Sequence, residues 1–172
     1  MIQKKIVMLG SFAVGKTSLV ARYVRSIFSE KYLTTIGVKV DKKEVALGDG
    51  LPTVLLLLWD LYGDDEFQAI RPSLLRGASG YFLVADGTRP ASLERLLPLH
   101  QLAQDVLGNV PYLILLNKTD LVADWALSDK EERRLSELGP VIKTSAKTGI
   151  GVDEAFVRLS SGMLAADGII RR

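Results

Sequence analysis

The sequence predicts an α/β fold: a six-stranded, mostly parallel sheet with one antiparallel edge strand, flanked by about five helices. Two observations carry that prediction. Short apolar runs alternate with segments of helical periodicity along the chain, the pattern of strand–helix–strand units whose right-handed crossovers cover both faces of a parallel sheet. One early pair of apolar runs is instead joined by the turn Gly48-Asp49-Gly50, which folds it into a hairpin and supplies the antiparallel edge. The length of 172 residues suits one domain, spanning residues 1–172, whose core needs neither disulfides nor a structural metal.

In chain order, Ile6 to Leu9 reads as the first strand and Lys16 to Ser26 as the first helix. Val38 to Leu47 and Thr53 to Trp59 are the hairpin strands, and the segment after Phe67 reads as a helical continuation. There follow a strand at Tyr81 to Ala85, a helix from Ser92 to Leu107, a strand at Tyr112 to Leu116 and a helix from Ser128 to Leu138. A short strand near Val141 to Lys143 and a helix from Val152 to Ala165 complete the pattern. Ser128 with Glu131 three residues later forms a capping box. Asp153 and Glu154 place carboxylates in a first turn, where the helix dipole favours them.

Composition narrows the partners. Lys and Arg total 22 against 20 Asp and Glu, a net charge of +2. The cations are dispersed rather than gathered into a basic stripe, which argues against nucleic acid as a partner. The absence of cysteine excludes disulfides, thiolate metal sites and lipid attached through cysteine, and suits a reducing compartment. The longest apolar run, Val54 to Trp59, is far shorter than the roughly 20 residues that span a bilayer, and the N-terminus has neither a signal-peptide apolar region nor glycine after Met1. The expectation is a soluble, cytoplasmic protein without a direct lipid anchor. Trp59 reads as a packing residue, and His100, the single histidine, as a packing or surface residue of its leucine-rich helix.

Three segments carry chemistry. "GSFAVGKT", Gly10 to Thr17, matches G-x-x-x-x-G-K-[ST] between a strand and a helix, the context that the motif needs. Its N–H groups and the helix start surround phosphate oxygens, Lys16 reaches the outer phosphates, and Thr17 offers a hydroxyl to Mg²⁺. "NKTD", Asn117 to Asp120, follows a strand end, where open α/β sheets bind ligands. The Asp120 carboxylate accepts two hydrogen bonds from a guanine edge, whereas adenine presents an acceptor there and leaves a charge unpaired. "TSAK", Thr144 to Lys147, follows the next strand and brings an Ala146 N–H that suits the guanine carbonyl.

Carrying "GSFAVGKT", "YLTTIG", "WDLYG", "NKTD" and "TSAK" in that order, the chain resembles a small GTPase of the Ras superfamily, closest to Rab-like members and their prokaryotic relatives. The phrases "LLRGASGYFLVAD" and "TGIGVDEAF" are similar to the family's as well. The resemblance implies a P-loop NTPase G domain, GTP and GDP as ligands, Mg²⁺ as cofactor, and protein effectors and regulators at the switch loops. It implies that Gly10, Ala13, Val14, Gly15, Lys16, Thr17 and Ser18 cradle the phosphates, with Phe28 across the base and Thr35 as the first-switch threonine. Asn117, Lys118, Asp120, Ser145, Ala146 and Lys147 would hold guanine; Thr17, Thr35 and, through water, Asp60 would hold Mg²⁺. Lys16, Thr35 and Gly63 would act on the γ-phosphate. Because Thr35 and Gly63 would both hold that phosphate, its loss would release two loops.

One stretch departs from the family pattern. Where D-T-A-G-Q-E is usual, this chain reads "DLYGDD", Asp60 to Asp65, with Asp64 at the place of the glutamine that orients the attacking water. An ionised aspartate accepts hydrogen bonds but donates none and repels the phosphate charge, so hydrolysis is expected to be slow or to use another group; the alternatives are a carboxyl kept protonated near the phosphate, or one turned to solvent at the start of the charged run Asp64-Asp65-Glu66. Leu61, Tyr62 and Phe12 are larger than the usual residues and are expected to crowd the access route. Gln68, Arg71 and Arg76, on the predicted helical continuation, are alternative catalytic groups or plain surface residues. The leading expectation is a Mg²⁺-dependent guanine-nucleotide switch, hydrolysing GTP slowly unless a partner assists. The alternative is a hydrolysis-deficient, GTP-bound interaction or scaffold module.

Overall fold

The computed structural model describes residues 1–31, 37–63 and 69–171. Its strands are β1 (Ile2–Gly10), β2 (Val38–Ala46), β3 (Thr53–Leu61), β4 (Gly80–Asp86), β5 (Tyr112–Asn117) and β6 (Val141–Lys143). Its α-helices are α1 (Lys16–Arg25), α2 (Leu96–Leu107), α3 (Asp129–Leu138) and α4 (Val152–Ala166). The six strands form one sheet in the order β2-β3-β1-β4-β5-β6, and only the β2–β3 pair is antiparallel. The α/β fold expected from the sequence is thus the fold observed.

Both faces of the sheet are covered. One core cluster joins Ile6 and Met8 of β1, Leu19 and Tyr23 of α1, and Phe156, Leu159 and Met163 of α4, with the Tyr23 and Phe156 rings stacked 3.8 Å apart. The other joins Val7 and Leu9 to Leu83, Ile114, Leu96, Leu99 and Leu135. Strands with both faces covered read as nearly continuous apolar runs, and β4, buried along its whole length, is the clearest case.

Two helical expectations are corrected. Among the described residues there are four α-helices rather than about five, and the segment after residue 68 holds only a 3₁₀ turn at Pro72–Leu74. Pro72 disfavours the α conformation at the residue before it, and Arg71 is indeed extended (φ −74°, ψ 128°). The helix read from Ser92 begins as a 3₁₀ segment, Pro90–Arg95, and becomes α-helical at Leu96. Pro98 has no N–H to give the Glu94 carbonyl, so an α-helix tolerates it only in the first turn, where such donors have no intrahelical partner. The Ser128 capping box forms in both directions: Ser128 N–H donates to Glu131 Oε2 (2.8 Å) and Glu131 N–H to Ser128 Oγ (3.3 Å).

Strand β1 is flanked by β3 on one side and β4 on the other, so the sheet order switches at β1. Ligands of open α/β sheets sit outside the carboxyl ends of the strands at such a point. The loops after β1, β3, β5 and β6 all emerge there.

Candidate functional site

A cleft of about 440 Å³ opens at this end of the sheet, lined by Phe12, Ala13, Gly15, Lys16, Thr17 and Ser18 from the β1–α1 loop and helix start. Asn117, Lys118, Asp120, Ala146 and Lys147 line it from the β5 and β6 loops, and Ile27 to Lys31 close the rim. The three motifs, the first of them far from the other two in sequence, share one cavity.

Gly15 is demanded by its position. Its φ is +101°, and a Cβ there would stand 2.3 Å from Asn117 Nδ2. Asn117 ties the motifs together, donating from Nδ2 to the Val14 carbonyl (3.0 Å) and accepting at Oδ1 from the Thr144 hydroxyl (3.1 Å). Gly10 and Val14 shape the loop from behind: Val14 is fully buried, and the Gly10 carbonyl accepts from Lys16 Nζ (3.0 Å), as does that of Ser11 (3.0 Å). Helix α1 has no acidic residue in its first turn to compete with an anion.

At the opposite end, Lys118 Nζ is shared between the Ala13 carbonyl (2.9 Å) and Asp86 Oδ2 (2.8 Å). Burial pushes the Asp86 carboxyl up, but hydrogen bonds from Lys118 and Thr88 outweigh it and hold the group below the usual aspartate value. The Asp120 carboxylate accepts from the Ser145 hydroxyl (2.7 Å), which leaves its other oxygen for a ligand. Phe28, 37% exposed, lines the rim beside these groups.

A third corner is formed by Thr17 and Asp60, whose Thr17 Oγ to Asp60 Oδ2 distance is 2.5 Å. Asp60 is 1% exposed, and its Oδ1 has no hydrogen-bond donor among the described residues. Burial raises its pKa against the Thr17 hydroxyl and the Lys16 charge, which lower it. A buried carboxylate with one idle oxygen beside a hydroxyl suits a hard divalent cation that takes its other ligands from phosphate and water.

Gly63 lies against the phosphate loop, where a Cβ would stand 2.4 Å from Phe12 Cα and 2.5 Å from its N. Leu61 and Phe12 line the cleft as expected, but Tyr62 does not. Its ring is buried in the second core cluster and its hydroxyl donates to the Ala69 carbonyl (3.1 Å). Arg71 and Arg76 are exposed and stand off the cleft. Thr35, Asp64 and Gln68 lie outside the described residues.

Sequence reasoning missed four participants. Asp86 pairs in register with Asn117 across β4 and β5, a proximity that only the sheet order reveals. Arg89 reaches Asp86 (3.4 Å) and donates to the Phe12 carbonyl. Thr144 belongs to a quoted motif, yet its bond to Asn117 needed the β5–β6 pairing. Arg22 grips the Ala146 and Lys147 carbonyls from α1 and carries no local signal.

Fold and cleft together define a phosphate-loop nucleotide-binding protein. A model of the Ras family matches residues 5–165, and the chain belongs to that family, as a Rab-like small GTPase. It is 36% identical over 170 residues to the Ypt/Rab-type GTPase YPT7 of Saccharomyces cerevisiae, covering 93% of this chain and 81% of that protein. With Ras-related protein Rab7 of Drosophila melanogaster it shares 34% over 167 residues, 93% of this chain and 80% of the relative. With Ras-related protein Rab-1 of Theileria parva it shares 31% over 163 residues, 92% and 73% respectively. Members of the family are small GTPases that bind and hydrolyse GTP. None of the described helices is long and apolar enough to cross a membrane.

Proposed function

We propose that the cleft binds GTP and GDP together with Mg²⁺ and that the protein is a switch whose intrinsic hydrolysis is slow. The observation that carries this reading is the convergence of Lys16, Asp120 and Ala146 on one cavity that also holds Lys118 and Thr17. In it, the loop from Gly10 to Ser18 holds the phosphates, and Lys16 leaves its two carbonyl partners for phosphate oxygens. Asp120 accepts from the guanine edge, Ser145 fixes that carboxylate, and Lys118 and Phe28 flank the ring. Asn117 braces the loop, and Ala146 and Lys147 offer N–H groups. Thr17, Thr35 and, through water, Asp60 are the groups that would hold Mg²⁺, which when bound neutralises charge on the phosphates. Gly63, pressed on Phe12, offers its N–H at the γ-phosphate.

Slow hydrolysis follows from Asp64 at the water-orienting place, where a carboxylate supplies no donor. Partners reading residues 30–39 and 60–76 would set the rate, and a group supplied in trans contributes on the order of 10³ to 10⁵. The cysteine-free chain acts in a reducing, cytoplasmic setting in this reading.

The test is single-turnover phosphate release from protein loaded with GTP and Mg²⁺, beside an Asp64→Gln variant. Slow release by wild type and faster release by the variant are expected. A wild-type rate that the substitution leaves unchanged assigns the water to another residue. Release by neither, with GTP retained by both, favours the GTP-bound interaction module.

A further inference from the structure

The loop from Ser145 to Ile150 is a tight turn whose N–H groups are nearly all committed. Ser145 N–H donates to the Ile150 carbonyl (3.0 Å), Thr148 N–H to Ser145 Oγ (3.1 Å) and Gly149 N–H to the Ser145 carbonyl (2.8 Å). Ile150 N–H donates to Thr148 Oγ (3.4 Å). Only the N–H groups of Ala146 and Lys147 have no acceptor among the described residues of this turn. Both residues line the cleft, and Ala146 is 4% exposed. Buried amide donors are seldom left unpaired in folded proteins. The idle N–H of the buried Ala146 in the cavity wall therefore marks the place of a ligand acceptor, with the N–H of the exposed Lys147 beside it.

What aims them is visible on the other side of the turn. In a trans peptide the C=O and the following N–H point in opposite directions, so a group that grips the carbonyl orients the N–H. Gly149 grips the Ser145 carbonyl and so orients Ala146 N–H. Arg22, from α1, donates from Nε to the Ala146 carbonyl (2.7 Å), the peptide whose N–H belongs to Lys147. Its Nη2 donates to the Lys147 carbonyl, and its Nη1 to the Ser26 carbonyl (3.4 Å) at the end of the helix. The planar guanidinium suits this task because it holds several carbonyls in a fixed fork, which a lysine cannot do.

We infer that Arg22 is a positioning residue for base recognition: by holding the Ala146 carbonyl away from the cleft, it directs the Lys147 N–H, beside the Ala146 N–H that Gly149 orients, onto an oxo group of the bound base. Within the nucleotide reading above, on which this rests, that oxo group is the guanine 6-carbonyl. Arg22 touches no ligand itself. It makes the affinity for the oxo group depend on a helix 124 residues away in sequence.

The experiment is a cycle between Arg22 and the ligand atom. Dissociation constants for GDP and for 6-thio-GDP are measured with Mg²⁺ on wild type, Arg22→Ala and Arg22→Lys, alongside thermal midpoints. The thio analogue keeps the edge that Asp120 reads but replaces the 6-oxygen with a weak acceptor. Arg22→Ala is expected to weaken GDP about tenfold, equivalent to about 1.4 kcal/mol, to weaken 6-thio-GDP less than threefold, and to be partly rescued in Arg22→Lys. Equal losses for both nucleotides would mean general loosening of the fold and would overturn the inference, as would an unchanged GDP affinity. If wild type binds no GDP, the nucleotide reading itself fails, and this is seen before any variant is compared.

Discussion

Asp86 and Lys118 form an ion pair of 2.8 Å in which the carboxylate is 1% exposed and the lysine still reaches the Ala13 carbonyl. Through that pair the end of β4 holds the Asn117–Asp120 segment against the Gly10–Thr17 loop, and Arg89 adds a second link from Asp86 to Phe12. Asp86→Ala strands both cations. It is expected to cost about 2 kcal/mol of stability, less than the roughly 3–5 kcal/mol of a fully buried pair because Lys118 and Arg89 reach solvent, and to speed GDP dissociation. Chemical denaturation and a fluorescent-GDP chase measure the two effects; unchanged dissociation would separate Asp86 from the site.

Gly63 has no room for a side chain beside Phe12. Gly63→Ala is expected to displace the segment from the phosphate loop and lower single-turnover hydrolysis roughly 10²-fold, the effect of losing one donor to developing charge. GDP affinity should stay within a few-fold of wild type. A variant that hydrolyses GTP normally would show that this contact has no part in the reaction.

Tyr62 fastens residues 62 and 69 together and buries its ring in the core. Tyr62→Phe, which removes only the hydroxyl, should cost about 1 kcal/mol. Tyr62→Ala, which leaves a cavity, should cost about 3 kcal/mol or more. Equal costs in a urea titration would mean that the hydroxyl, and not the ring, carries the contribution.

His100 is 6% exposed, with Nδ1 2.9 Å from the Tyr81 hydroxyl and its ring 4.5 Å from that of Tyr112. Burial lowers its pKa from 6.5, so the folded protein favours the neutral ring. The associated stability is fully present above the unfolded value and is lost as pH falls below about 6.5 toward the folded one. Asp60, raised by burial, is common to wild type and variant, so the difference between their curves reports His100, the single histidine. Melting curves from pH 8 to pH 5 should fall toward acid in wild type and flatten in His100→Gln; parallel curves would contradict this.

The sequence exposed what is local and hid what the sheet assembles. Lys16, Asn117 and Asp120 announce themselves because phosphate and base recognition need those groups in fixed short patterns, and Ser128 announces its helix through Glu131. Asp86 and Arg22 act through neighbours brought in by strand order and helix docking, so nothing in their own surroundings marks them. That the described residues after 68 hold a 3₁₀ turn and no α-helix was legible in Pro72, which disfavours the α conformation at Arg71. Strand β1 runs back to Ile2 through Gln3, Lys4 and Lys5, polar residues that the apolar pattern left out. Lys4 is held there by Asp167, and Lys5 by the Leu74 carbonyl (2.8 Å) and the Trp59 ring (3.7 Å).

Selection of a guanine nucleotide through Asp120 is measured by competition of unlabelled GDP and ADP against a fluorescent GDP. A site built to pair with polar edges rejects a ligand that leaves those groups unpaired by a factor on the order of 10⁴. Displacement by GDP at stoichiometric concentration, and by ADP only in vast excess, is expected, with the preference collapsing in Asp120→Ala. Equal competition by ADP, or a preference that survives Asp120→Ala, would contradict it.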